Sequence, residues 1–223
     1  MASLVAPQLV INSRMLYFGW IPADPRAAAR TIPAGLRPAP SGSCFMNQYV
    51  VDSDEQTSGF GAYSLTYNGP DLDRFAPDGE TPSRWWVGYV NSSPDMREYA
   101  RERGVPAVPG ETVIEIENGV LTATTRAEGV DIIRTVAHVG EPSGVWARGQ
   151  LSYITPIEGK LVDGLYPYTA ELVDPFEVTS LEFLAKDHPT YDLRPATPLQ
   201  VVWGFYSPRA SFCYPGGEYT LTK

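Results

Sequence analysis

Residues 112–140 read "TVIEIENGVLTATTRAEGVDIIRTVAHVG". Two short alternating runs of β-branched and apolar residues meet at "ENG", and a third follows after "AEG". Alternation places successive side chains on opposite faces of a strand. A residue followed by glycine between two such runs is hairpin chemistry, because tight hairpin turns need backbone angles that glycine adopts freely. The stretch therefore predicts a meander of three antiparallel strands. "LVINSRMLYFGWI", "SCFMNQYVVD", "FGAYSLTYNG", "RWWVGYVNSS", "VWARGQLSYITPI", "DGLYPYTAELVD", "EVTSLEFLA" and "LQVVWGFYSPRASFCYPGGEYTLTK" have the same character, and the same rules make them strands.

Two segments break the pattern. "ADPRAAARTIPAG" offers Asp24 as an N-cap, Pro25 at the first helical position, and Pro33 and Gly35 as stops, which predicts a helix near residues 24–32. "SSPDMREYARERG" repeats the plan with Ser93, Pro94 and Gly104, which predicts a helix near 94–103. Met96, Tyr99 and Ala100 fall on one face of it. The expectation is one α+β domain over residues 1–223, mostly antiparallel sheet with small helices outside.

Composition narrows the function. The chain has 223 residues and a formal net charge of -9, so it repels phosphate backbones and anionic membrane surfaces. No apolar run approaches the ~20 residues of a spanning helix. "MASLVAPQLVINSR" lacks the basic start of a secretory signal. Cys44 and Cys213 are too few for a disulfide framework. The expected setting is cytoplasmic, without nucleic acid, membrane or cofactor.

Phosphate loops, paired CxxC, HExxH and GxSxG are all absent from the sequence. His138 and His188 lie far apart and show no metal-ligand spacing. Glu111, Glu115 and Glu117 alternate as a solvated strand face does, and one of them as a general base is the lesser reading.

The order of segments carries a resemblance. "ADPRAAARTIPAGLRPAP", "QTSGFGAYSLTYNG", "VGYVNSSPDMREYARERGVPA", "GETVIEIENGVLTATT" and "VTSLEFLAKDHPTYDLRPATPLQVVWGFY" are similar, in that order, to segments of acetoacetate decarboxylases. The resemblance implies a cone- or barrel-like sheet around a cavity and a homo-oligomer. It also implies Schiff-base chemistry by a lysine whose pKa an adjacent lysine lowers. Matched without gaps through Pro94 and Pro106, those two positions hold Ala107 and Val108. The family's glutamates match Leu65 and Gln48, and its first-strand arginine matches Arg14. Arg14 either holds a substrate carboxylate or enolate oxygen through its fork of donors, or is a surface ion pair. Gln48, Tyr63, Tyr67, Arg84, Trp86 and Tyr89 would complete a pocket for a small carbonyl compound. Alternation leaves open which face of residues 84–91 turns inward. The expectation is an enzyme for a carbonyl, enol or enoate substrate that forms no imine, performing cyclisation, isomerisation, hydration or dehydration. The alternatives are a binding protein on the same fold and a lysine-independent decarboxylase. The aromatic segments "YPYTAELV" and "VVWGFYSPRASFCYP" are expected as sheet edges covered by another subunit.

Overall fold

A computed structural model describes residues 4–221. The order of elements is β1 (Gln8–Trp20), α1 (Pro25–Arg30), β2 (Cys44–Val51), β3 (Tyr63–Phe75), β4 (Pro82–Trp85), β5 (Gly88–Asn91), α2 (Pro94–Glu102), β6 (Ala107–Glu117), β7 (Val120–Ala127), β8 (Val130–Ile157), β9 (Lys160–Phe183), β10 (Val201–Tyr214) and β11 (Tyr219–Thr220). The meander forms as expected. Asn118–Gly119 and Glu128–Gly129 turn with φ of 52 and 76° and of 50 and 79°. Glu158–Gly159 turns β8 into β9 the same way, with φ of 50 and 75°.

Both helices start on their caps. Asp24 accepts from the backbone N–H of Arg26 and Ala27 at 2.9 and 3.1 Å, and Ser93 Oγ accepts from Met96 N–H at 3.2 Å. α2 buries Met96, Tyr99 and Ala100, the face its spacing predicts.

All the strands join one sheet, ordered β11-β9-β10-β1-β2-β3-β4-β8-β7-β6-β5, with further pairings of β9 to β8 and β3 to β5. The sheet is mostly antiparallel, as expected, but mixed: β4 pairs with β8, and β5 with β6, in parallel. The second pairing follows from the chain order. Parallel neighbours need a crossover connection, and α2 supplies it between β5 and β6. The aromatic segments expected at edges are interior only in part, since residues 201–209 of β10 pair with β1 alone. β9 pairs with β8, β10 and β11, β10 pairs with β1 and β9, and Tyr166, Tyr206, Phe212 and Tyr214 are buried.

β1, β2 and β3 lie between two hydrophobic clusters. One face of each strand carries Met15, Tyr17, Phe45, Tyr49, Tyr63, Leu65 and Tyr67 into an aromatic core. The other carries Leu16, Phe18, Trp20, Cys44 and Met46 into an aliphatic core shared with β6 to β9. Between those layers runs a buried belt of hydroxyls and one amide. Thr66 bonds Thr112 and Thr125 at 2.7 and 2.6 Å. Gln48 donates to Thr125 at 3.0 Å and accepts from Thr135 at 2.8 Å.

Candidate functional site

The aromatic core gathers most of the residues that the sequence nominated. Tyr63, Leu65, Tyr67, Trp86, Tyr89 and Ala107 all belong to it. Ala107 does not sit at the tip of a loop. It opens β6, opposite Tyr89 in the parallel pairing, and is 3% exposed while Val108 is 39% exposed. A strand turns alternate residues to opposite sides, so only one of the two positions faces the core. Val108 lies on the outside, a correction to its expected place in the pocket.

The open question about residues 84–91 resolves through a break in the strand. β4 ends at Trp85 and β5 starts at Gly88. The two intervening residues reset the alternation. Trp86 and Tyr89, which regular alternation puts on opposite faces, both enter the aromatic core, 5.3 Å apart by ring centroids. Arg84 follows the same side, its guanidinium carbon 5.0 to 5.3 Å from the rings of Phe45, Tyr17 and Trp203. The break occurs where β4 and β5 cross β3 at Gly69. A Cβ built there would stand 1.7 Å from the carbonyl oxygen of Trp85, so only glycine admits the crossing.

Two matched positions face elsewhere. Arg14 lies on the opposite side of β1 from Met15 and Tyr17. It donates from Nε and Nη2 to Asp52 at 2.9 and 2.6 Å, and from Nη1 to the carbonyl of Ile114 at 2.7 Å. This fork raises its pKa, chiefly through the Asp52 hydrogen bond, and leaves it no free arm for a substrate. Arg14 is the surface ion pair of the two readings, half-exposed with its partner, and it leaves the candidate site. Gln48 likewise turns into the threonine belt, away from the tyrosines. A register error of one residue exchanges the two faces of a strand. On β2 the inward side chains are Asn47 and Tyr49.

The sequence reading missed the residues that organise the core. Asn47 Nδ2 donates to the Tyr67 hydroxyl at 2.9 Å, and Tyr67 is hydrogen-bonded to the Tyr166 hydroxyl. Tyr49 bonds Tyr63 at 2.8 Å and Tyr214 at 3.2 Å. Trp86 stacks on Tyr153 at 4.5 Å between ring centroids, and Tyr153 donates to Glu218 Oε1 at 3.1 Å. Glu218 also pairs with Arg103 at 3.1 Å, whose guanidinium lies 3.5 Å over the ring of Tyr99. The signal for these was available in "YPYT" and "SFCY", which alternate tyrosine or phenylalanine with other residues.

Burial pushes every one of these phenols toward the neutral form. Tyr49, Tyr89, Tyr153, Tyr166 and Tyr214 are raised well above the ordinary value, desolvation being the largest cause in each. Tyr67 is pushed up only to about 12, because hydrogen bonds from Tyr166 and Asn47 and the charge of Arg84 oppose its desolvation. It is the phenol best supported in developing negative charge. The space described among these rings is small. The space between Trp86, Tyr89, Tyr99, Val105, Tyr153 and Tyr214 measures about 10 Å³, close to the smallest volume that holds a single water.

The architecture matches solved structures over almost its full length. An acetoacetate decarboxylase from Legionella pneumophila superposes with a TM-score of 0.72 at 14% identity, covering 98% of this chain and 88% of that one. The chain has the acetoacetate decarboxylase fold. The enduracididine biosynthesis enzyme MppR, solved with the condensation product of pyruvate and imidazole 4-carboxaldehyde, has the same fold, with a TM-score of 0.66 at 12% identity over 99% of this chain and 92% of that one. So has an acetoacetate decarboxylase-like enzyme from Sphingomonas wittichii RW1, with a TM-score of 0.62 at 14% identity over 99% and 95%. No protein-family model and no curated protein matches the sequence. Within the decarboxylase fold, this chain fills the interior with tyrosines. Of its three lysines, Lys160 and Lys186 are exposed, and Lys223 lies outside the described residues.

Proposed function

We propose that this chain is a small-molecule enzyme that acts on an enolisable carbonyl compound through phenol hydrogen bonds, without an imine. The observation that supports this reading is the Asn47–Tyr67–Tyr166 chain on the same side of the sheet as Ala107. Asn47 donates to the Tyr67 oxygen; when Tyr166 donates as well, the proton of Tyr67 is free for a ligand oxygen. A donor fixed in a dry site stabilises an enolate as it forms, and does so without reorganising. A ligand reaches Tyr67 only if side chains move; Tyr99 and Arg103 border the small space among the rings, and Glu218 holds Arg103. Isomerisation, hydration or dehydration, and cyclisation all pass through such an enolate. The substrate is small, the setting cytoplasmic, and neither nucleic acid nor membrane takes part.

The test is Tyr67→Phe, assayed with a panel of β-keto acids, 2-oxo acids and enones. Turnover should fall by about 10²-fold or more, the usual effect of losing one such donor, while the variant stays folded, its melt lowered by the loss of about 1–3 kcal/mol from leaving the buried Asn47 amide without its acceptor. Turnover unchanged by Tyr67→Phe would sink the reading. Borohydride reduction in the presence of acetoacetate should leave the intact mass unaltered. An adduct on Lys160 or Lys186 would restore imine chemistry.

One observation favours binding without turnover. The carboxylates nearest the rings, Asp71 and Glu218, are each paired with an arginine, Arg84 or Arg103, and an engaged carboxylate is a poor base. Recovery of panel compounds bound but unchanged would select that reading. Assembly as a homo-oligomer is part of the proposal. Leu9 and Ile11 are exposed and line, with Pro167 and Cys213, an apolar surface groove of about 320 Å³. Burying such a patch stabilises a subunit contact. Light scattering should give at least a dimer at micromolar concentration, and a monomer would refute it.

A further inference from the structure

Arg84 faces two ways. Its Nε donates to Asp71 Oδ1 at 3.0 Å, and among the described residues no other acceptor is bonded to it. The residue is 9% exposed, and three aromatic rings surround its guanidinium. Arginine has five N–H donors. A buried guanidinium with one acceptor is incompletely satisfied, and burial makes each unmet donor costly.

The exposed edge of Arg84 opens on a crevice of about 250 Å³. Trp203, Phe75, Leu72 and Pro40 form its apolar walls, and Ser41 and Arg74 complete the lining. Its carboxylates are already engaged. Asp71 accepts from Arg84 on one oxygen and from Ser43 at 2.7 Å on the other, and Asp73 pairs with Arg37 at 3.0 Å. Arg74, whose Nε is buried without an acceptor among the described residues, also faces Asp163 and Tyr219. The crevice thus presents the unmet N–H groups of Arg84 between apolar walls, inside a chain of net charge -9.

We propose that this crevice is a binding site for a planar carboxylate of one-ring size, an aromatic or α,β-unsaturated acid. The carboxylate takes the free N–H groups of Arg84, and the planar body lies along Trp203 and Phe75. An arginine fork suits a carboxylate by geometry as well as charge. The volume admits one ring with a short arm. The site lies on the outer side of Arg84, away from the Tyr67 hydroxyl, and holds whether or not the tyrosine core turns over a substrate.

Benzoate and trans-cinnamate are the probes, with benzamide as the uncharged isostere, followed by titration calorimetry and by quenching of Trp203 fluorescence. Both acids should bind saturably, and benzamide at least about tenfold more weakly, as loss of a charge-assisted hydrogen bond requires. Arg84→Gln should remove the preference for the acid over the amide. That variant leaves Asp71 buried without its partner and risks unfolding, so the second variant is Ser41→Phe at the exposed rim. It fills the crevice, leaves Arg84 in place, and should abolish binding with an unchanged melt. Equal affinity for benzoate and benzamide, no saturable binding, or full binding by folded Ser41→Phe would each overturn the site. Arg84→Gln also withdraws the charge that supports Tyr67, so only Ser41→Phe, which leaves Arg84 in place, lets panel turnover report separately on the tyrosine core.

Discussion

Raising the pH above about 10 should unfold this protein cooperatively, at a lower pH than its neutral stability would lead one to expect. Tyr17, Tyr49, Tyr63, Tyr67, Tyr89, Tyr153, Tyr166 and Tyr214 are buried phenols whose folded-state pKa values all lie above the ordinary 10.0, with desolvation the first cause in each. A raised value means that the folded state holds the proton after the unfolded chain has begun to release it. The stabilising difference is therefore intact below pH 10 and is lost as the pH climbs from there toward the folded values. For each group about 1.4 kcal/mol disappears per pH unit across that window. Near pH 11 the eight together amount to roughly 11 kcal/mol, as much as the entire stability of an ordinary domain. Tyrosinate absorbance and circular dichroism should consequently change together in one steep step. Smooth titration of every tyrosine near pH 10 with the fold intact would show that water reaches the core.

Gly69→Ala should be the most damaging single-methyl change in the chain. The added carbon would meet the Trp85 carbonyl oxygen at 1.7 Å and the Trp85 carbonyl carbon at 2.9 Å. Both are backbone atoms, so no side-chain rotation relieves the overlap. Ordinary overpacking costs about 1–3 kcal/mol, and a clash between two paired strands should exceed ~3 kcal/mol. The consequence for the site is larger than the methyl. Displacing residues 85–87 disturbs the break that brings Arg84, Trp86 and Tyr89 to one side, so ring stacking on Tyr153 and the Arg84–Asp71 pair should loosen together. Thermal melting of the variant checks this. A melt indistinguishable from the parent's would mean that the crossing is not fixed as described.

Local chemistry made much of this molecule legible in its sequence. Asp24–Pro25 and Ser93–Pro94 start the two helices, and Asn118–Gly119 and Glu128–Gly129 set the meander, because caps and tight turns involve residues adjacent in the chain. Tyr63, Leu65 and Tyr67 share a face by alternation alone. Which face looks into which core was not legible. β2 and the later half of β1 are buried on both sides, with polar Asn47 and Gln48 adjacent and each bonded in a different layer. An alternating pattern marks inside from outside only where one side is wet. A strand with two dry sides offers no such contrast, so Arg14 and Gln48 matched in sequence and turned the wrong way in space. Arg14 meets Asp52 across 38 positions, and Tyr67 meets Tyr166 across 99. The phase of residues 84–91 is reset by a crossing of β3 that no local pattern marks. The sequence by itself determined the strands and the helices. The tertiary structure decided which hydroxyls meet and how little space they leave, because contacts between distant strands depend on register and on how both faces are filled.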